Sequence, residues 1–269
     1  MPPDLSIIIV NWNTADLLGG CLRSIYSTVL DAGWEVIVVD NASKDQSVPM
    51  VESAFPAVHM IRNSYNAGFA RANNQGILIS HGRYVLLLNS DTLVPAGALG
   101  SLMEFMDHHP EAGICAPRLL REDGTTQPFA FGDDPTPGYL LRRALAYLFL
   151  GRSLHDWSTD HPMRTDWVAG TCLMARRPAV DQAGLLDEHI FLYFEDNDWC
   201  LRIRRCGWKI YYCPEVSITH LGGRSVSRNP DARGAYYRSL EYFYTKHYGS
   251  MARLWLKLAL PVYRKFVSY

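Results

Sequence analysis

Apolar positions over the first ninety residues alternate between unbroken runs and helical spacing. Leu5 to Val10 is a continuous, largely β-branched run, as expected of a strand covered on both faces. Thr14 then offers an N-cap, and Leu17, Leu18, Cys21, Leu22, Ile25 and Val29 recur at helical intervals. Glu35 to Val39 predicts a second strand ending at Asp40-Asn41, Val48 to Phe55 a helix, and Val58 to Ile61 a third strand. Ala67 to Ser80 has helical character, and Tyr84 to Leu88 predicts the fourth and most apolar strand. Such alternation implies parallel pairing through right-handed crossovers, with ligands gathered beyond the carboxyl ends of the strands. Asn11, Asp40, Asn63 and Asn89 all fall at those ends.

The second half is less regular. Ala98 to His108 predicts a helix, Gly113 to Ala116 a short strand, Trp167 to Ala175 a longer one, and Asn197 to Arg205 another helix. Lys209 to Cys213 and Val216 to Thr219 predict two further strands, and Phe191-Leu192-Tyr193-Phe194 the end of one more. Residues 133–166 interrupt the pattern with proline, glycine and a basic apolar segment, which marks an insertion or lid. One α/β domain over residues 1–228 with a helical, basic and aromatic appendage over 229–269 is the economical division.

Three polar clusters stand where buried strands are expected to stop: Asn89-Ser90-Asp91, Glu195-Asp196 and His220. A sheet does not need carboxylates there, and solvation keeps them out of its interior. Asp91 suits a hard divalent cation bridging a diphosphate, although an Asn-Ser-Asp triplet alone is an ordinary turn or cap. Asp198 is explained by its place in the first turn of a helix with Arg202 four residues on. Glu195 and Asp196 are not, because an aromatic run shields them, and one of the pair is the candidate general base. His220, before Gly222-Gly223 and Ser225 of a predicted flexible loop, adds an imidazole that favours Mn²⁺ over Mg²⁺.

Composition narrows the classes. The 269 residues are 48% hydrophobic and 20% charged with a net charge of −1, which argues against disorder and against nucleic-acid binding by general attraction. The six cysteines form no CxxC pair, and the start carries no visible secretory signal, so a reducing cytoplasmic setting is expected. No apolar run reaches the roughly 20 residues that span a bilayer. Tyr139 to Leu150 and Met251 to Tyr269 nevertheless mix bulky apolar groups with arginine and lysine. They suit the inner membrane surface, with packing on the domain or on a second copy in a homodimer as the alternative.

Neither GxGxxG nor GxxxxGK[ST] occurs, which disfavours NAD-type and P-loop chemistry. Asn66-Ala67-Gly68-Phe69-Ala70-Arg71-Ala72-Asn73-Asn74 opens a helix with glycine and amides suited to phosphate or ribose oxygens. Asp40 can accept from a pyrimidine N–H, and Trp12 can stack on that base.

Taken in order, these segments resemble glycosyltransferase family 2. The resemblance rests on Ser6 to Asn13, Val38 to Ser43, Asn66 to Ala70, Leu87 to Asp91, Trp167-Val168-Ala169-Gly170, Tyr193 to Asp198, Arg205 to Trp208 and His220. It spans roughly residues 5 to 225 and is strongest toward bacterial rhamnosyltransferase-like members that build cell-surface polysaccharide. It implies a GT-A fold, a nucleotide-diphosphate sugar donor (dTDP- or UDP-linked) and inversion at the anomeric carbon. It also implies an acceptor hydroxyl on a glycan, for example one linked to polyprenyl diphosphate. By motif position, Asn11, Trp12, Asp40, Asn66, Gly68, Phe69, Arg71, Asn74, Asn89 and Asp91 line the nucleotide-sugar site. Trp167 and Gly170 face the sugar or acceptor, Asp91 and His220 hold Mn²⁺ or Mg²⁺, and Asp196 is the base with Glu195 beside it. The chain departs from the family at Asn89, which replaces the first acid of the DxD motif and removes a charge. The QxxRW motif of processive members is absent, which favours addition of one or a few sugars. A sugar-nucleotide pyrophosphorylase is the enzyme alternative, but the loop after the first strand lacks its glycines and basic residues. A catalytically silent sugar-nucleotide-binding subunit is the other, and Glu195-Asp196 and His220 speak against it.

Overall fold

A computed structural model describes residues 3–27, 33–150, 154–222 and 232–266. Val29 and the Gly223 to Ser225 loop fall outside these residues. The apolar runs became strands β1 (Leu5–Asn11), β2 (Trp34–Asp40), β3 (His59–Arg62) and β4 (Tyr84–Asn89), separated by helices α1 (Ala15–Tyr26), α2 (Ser47–Ala54) and α3 (Phe69–Ile79). All four strands run parallel, in the order β3-β2-β1-β4. Their side chains are almost wholly buried over Leu5 to Ile9, Val36 to Val39 and Tyr84 to Leu88, so helices cover both faces. Registers of Asn11 with Asp40, and of Val10 with Asn89, bring three of the polar strand ends level.

The sheet then continues through β10 (Cys172–Arg176), antiparallel to β4, and through β6 (Ala112–Leu120), β11 (Lys209–His220) and β5 (Thr92–Leu93). Helix α4 (Ala98–His108) lies between β5 and β6, with the predicted bounds. The interrupting segment holds helix α5 (Pro137–Leu150) and strand β8 (Met163–Thr165), which pairs with β11 and ties that segment to the main sheet. Helices α6 (Arg177–Ala183) and α7 (Glu195–Arg205) follow β10, and α8 (Ala232–His247) and α9 (Gly249–Phe266) complete the described chain. Leu140, Phe194, Leu201, Phe243 and Leu256 join α5, α7, α8 and α9 in a second apolar cluster, apart from the main core.

Three local expectations are corrected. Phe191 to Phe194 is not a strand: Tyr193 and Phe194 both adopt left-handed backbone, with φ of 65° and 69°. The Trp167–Ala175 strand is broken. Trp167–Val168 forms β9, paired with β7 (Phe131–Gly132), and β10 begins only at Cys172. Lys209 to Thr219 is one strand, whose register on β6 shifts between Cys213 and Ser217, where Pro214 has no N–H to offer. Five of the six cysteines are buried and all six are free thiols.

Candidate active site

The first cluster sits at the ends of β1 and β2. Asn11 Nδ2 donates to Asp40 Oδ1 (2.9 Å) and to Ser43 Oγ (3.1 Å), and Ser43 N–H donates to Asp40 Oδ2 (2.9 Å). The Thr14 hydroxyl does not cap α1. It donates to Asn11 Oδ1 (2.7 Å) and meets Ser90 Oγ at 3.0 Å, which links the β1 loop to the triplet after β4. Each oxygen of Asp40 keeps a lone pair beyond these contacts, so the carboxylate is braced and can still accept from a nucleobase. Trp12 is half-buried in the same loop, next to Asn13, which adopts left-handed backbone at φ 56°.

Gly68 is required by its surroundings. Its φ is +84°, and a Cβ there would stand 2.7 Å from Phe191 Cδ2 and 2.9 Å from the Phe191 carbonyl oxygen. That approach lets Phe69 N–H donate to Phe191 O (2.9 Å), while Asn66 Oδ1 accepts from Gly68 N–H (3.0 Å). Arg71 is half-exposed beside Glu188 at 3.6 Å. Asn74 is placed elsewhere. It is 1% exposed and its amide is spent on Leu186 N–H, Leu186 O and Glu188, so it braces a loop and is not presented to a nucleotide. The Trp167 indole N–H is likewise used, on Asp133 O at 2.9 Å.

Asp91 and His220 meet because β5 pairs with the last residues of β11, opposite Thr219 and His220. His220 Nε2 lies 3.2 Å from Asp91 Oδ1 and Nδ1 lies 2.7 Å from Gln127 Oε1. The Gln127 amide orients the ring at Nδ1, and Nε2 faces the Asp91 carboxylate, where it can donate a hydrogen bond or share a cation with it. These residues therefore fit a divalent metal. Among the described residues no group of three or more His, Cys, Asp and Glu side chains gathers to hold one. Asp91 and His220 would be the protein's share of such a site, as is usual for Mg²⁺, which takes few protein ligands when bound with phosphate substrates. Gln127 was not anticipated, since its neighbours in sequence carry no ligand pattern.

The third cluster opens α7. Asp196 Oδ2 accepts from Gly170 N–H (3.0 Å), and Asp196 Oδ1 accepts from Asn197 N–H (2.8 Å). Burial pushes its carboxyl above the ordinary carboxylate range, and these backbone N–H groups offset only part of the rise. Glu195 is 5% exposed and its Oε2 has no hydrogen-bond partner. Burial, and then the charge of Asp196, drive its pKa well up. Asp198 behaves oppositely: burial would raise it, but hydrogen bonds from His247 and Lys246 and the nearby Arg202 outweigh that and hold it low. The Asp198–Arg202 pair of the sequence forms at 2.8 Å, and Lys246 and His247 each approach Asp198 to 2.6 Å. Helix α7 starts without a side-chain cap, directly after the two left-handed residues, which cost about 1–2 kcal/mol each.

Two hydrogen bonds join the clusters. Asn89 N–H donates to Thr171 O (2.9 Å), and the adjacent Gly170 is the residue whose N–H holds Asp196. A Cβ on Gly170 would lie 3.4 Å from Phe69 Cε1 and 3.8 Å from Asp196 Cβ, so Gly170 is flanked by the α3 motif and the carboxylate. The break after β9 thus has a purpose, since a continuous strand would commit Gly170 N–H to the sheet.

Known proteins are similar to this chain in sequence and in fold. The N-acetylglucosaminyl-diphospho-decaprenol L-rhamnosyltransferase of Mycobacterium tuberculosis is 25% identical over 259 residues, covering 89% of this chain and 83% of that protein. Among solved structures, GalNAc-T7 with UDP, GalNAc and Mn2+ superposes with a TM-score of 0.60 at 17% identity, covering 81% of this chain, which spans only 44% of that one. The mannosyltransferase PcManGT of Pyrobaculum calidifontis, in complex with GDP-Man and Mn2+, gives 0.58 at 18% identity over 100% of this chain and 77% of that one. These two show the fold, which is the GT-A arrangement expected from the motifs. The pattern of Glycosyl transferase family 2 matches residues 6–156, more than half of the chain. On this match, the chain belongs to glycosyl transferase family 2.

Proposed function

We propose that the chain is an inverting, metal-dependent transferase that moves a sugar, rhamnose first among candidates, from a nucleotide diphosphate to a hydroxyl of a lipid-linked glycan. The observation that carries this reading is the Asp196 carboxylate, held by Gly170 N–H one residue from the Thr171–Asn89 hydrogen bond. It supports a base beside the triplet that would receive the diphosphate. Asp40, braced by Asn11, contacts the nucleobase. The Asn66–Phe69 turn meets ribose or phosphate. Asp91 and His220 would hold Mn²⁺ or Mg²⁺, and such an ion would supply neutralisation of charge on the departing nucleoside diphosphate. Asp196 takes the proton of the acceptor hydroxyl, which is a weak nucleophile until it is deprotonated. A single displacement with one base requires no covalent intermediate, and hence no nucleophilic serine or cysteine.

Support for rhamnose and for a polyprenyl-linked acceptor comes from the name of the mycobacterial relative. A screen of UDP-, dTDP- and GDP-sugars for nucleotide release, with and without Mn²⁺, tests the reading. Release from dTDP-rhamnose on addition of a lipid-linked acceptor is expected, and no release from any donor with any glycan acceptor would overturn it.

The same reading places the enzyme at the inner membrane surface. No helix among the described residues is long and apolar enough to cross a bilayer. Leu141, Leu145 and Phe149 of α5 are exposed at four-residue steps, and Met251, Leu254 and Leu258 of α9 at steps of three and four on one stripe. Arg142, Arg143, Arg253 and Lys257 flank them; Arg142 pairs with Asp133, and Arg253 and Lys257 share Glu241, which leaves a net positive margin suited to anionic lipid. Leu254→Glu with Leu258→Glu, at exposed sites, should abolish sedimentation with phosphatidylglycerol vesicles while the melting temperature holds. Equal sedimentation would remove the membrane from the account.

A further inference from the structure

Tyr193 and Phe194 are neither glycine nor asparagine, yet both sit in left-handed backbone immediately before the Glu195-Asp196 pair. Such conformations persist only where the surroundings over-determine them. Part of that determination comes from within the domain, where Phe191 O accepts from Phe69 N–H. A further part comes from α8, which lies about forty residues further along the chain. Ser239 Oγ donates to Leu192 O at 2.8 Å. The Tyr236 ring stands edge-on to Tyr193 at 5.8 Å and tilts against Phe194 at 5.1 Å, and Phe243 meets Phe194 at 5.8 Å. Lys246 and His247, at the end of the same helix, grip Asp198 in the first turn of α7. Tyr236, Ser239, Phe243 and His247 recur at steps of three, four and four residues, so one face of α8 makes every contact.

We infer that α8 is a positioning element of the reaction centre: Tyr236 and Ser239 hold the Leu192–Phe194 turn in its left-handed form, and Lys246 and His247 hold Asp198. Asp196 is thereby presented to the acceptor at a fixed height beside Gly170. The inference rests on Asp196 as the base. None of the α8 residues touches substrate in this scheme. They act through the turn, and the Asp40, Asn11 and Asp91 end of the site is left alone.

The test uses Ser239→Ala, which removes the hydroxyl and keeps the ring contacts, Ser239→Thr, which restores a hydroxyl, and Tyr236→Leu as a second route. For Ser239→Ala and Tyr236→Leu, kcat should fall about tenfold or more with KM for the donor within about twofold, since a misplaced base costs rate and not donor affinity. Hydrogen exchange at the amides of Gly170 and of residues 194–198 should quicken in both variants and return toward wild type in Ser239→Thr. Unchanged kcat together with unchanged exchange overturns the proposal. So does a loss confined to melting temperature and donor affinity, which would make α8 a general support. Exchange is read without substrate: if wild type releases nucleotide from no donor, the transferase reading has failed, and the exchange result alone decides the role of α8.

Discussion

Replacing Asp196 with asparagine lowers turnover by about 10²- to 10⁴-fold, the usual contribution of a positioned general base, while donor affinity stays within about twofold of wild type. The asymmetry follows from placement. Asp196 belongs to the α7 cluster and touches the nucleotide side only through Gly170 N–H, whereas Asp40, Asn11 and Asp91 stand on other elements. Isothermal titration of the donor and single-turnover kinetics separate the two quantities, and unchanged turnover would remove Asp196 from the role. The pH profile adds an independent mark. Burial holds the Asp196 carboxyl above the ordinary carboxylate range, and a base must be deprotonated to act. The acid limb of kcat/KM therefore rises at a higher pH than a solvent-exposed aspartate would give. Stability runs the other way for the pair. A carboxyl whose folded pKa is raised contributes stability below its unfolded pKa and loses it as pH rises through the folded value. Glu195 and Asp196 thus weaken the fold as pH rises toward their raised values.

Legibility in the sequence followed the range of the forces involved. Strands β1, β2 and β4 were visible because residues buried on both faces leave unbroken apolar runs, and α4 because its apolar residues recur at helical spacing. The Asp198–Arg202 pair was visible because it is four residues apart on one helix, whereas Lys246 and His247 reach the same carboxylate from nearly fifty residues away. Phe191 to Phe194 shows the limit most clearly. An aromatic run has the composition of a strand, yet Phe191 is exposed while Tyr193 and Phe194 pack against rings of α8, a distant contact that accompanies backbone conformations local propensity disfavours. Asn74 failed for a similar reason. An amide near a helix start looks the same whether it faces a ligand or, as here, clasps Leu186 more than a hundred residues on.

Asp91→Ala should cost the protein its Mn²⁺-dependent donor binding, with at least a hundredfold loss of kcat/KM, while the apo fold keeps its melting temperature. Asp91 is 5% exposed, but the contact it makes through its side chain is with His220, whose Nδ1 remains tied to Gln127. Its backbone carbonyl still receives Leu221 N–H, so β5 and β11 stay joined in the variant. The magnitude follows from ligand count. On the proposed assignment Asp91 and His220 are the protein's ligands, and Asn89 in place of an acid leaves Asp91 as the charged one of that set. Removing it would leave one imidazole, too little to retain a hard cation against water. Titrating UDP or dTDP in Mn²⁺ and in excess chelator reads the effect directly. Wild type should bind tightly only with the ion, and Asp91→Ala weakly in both conditions. Asn89→Asp should shift the ion requirement the other way, to lower Mn²⁺ concentration. Equal nucleotide affinity for wild type and Asp91→Ala in Mn²⁺ would show that the charge of the leaving group is met elsewhere, and the assignment of β4's end as the diphosphate site would fall with it.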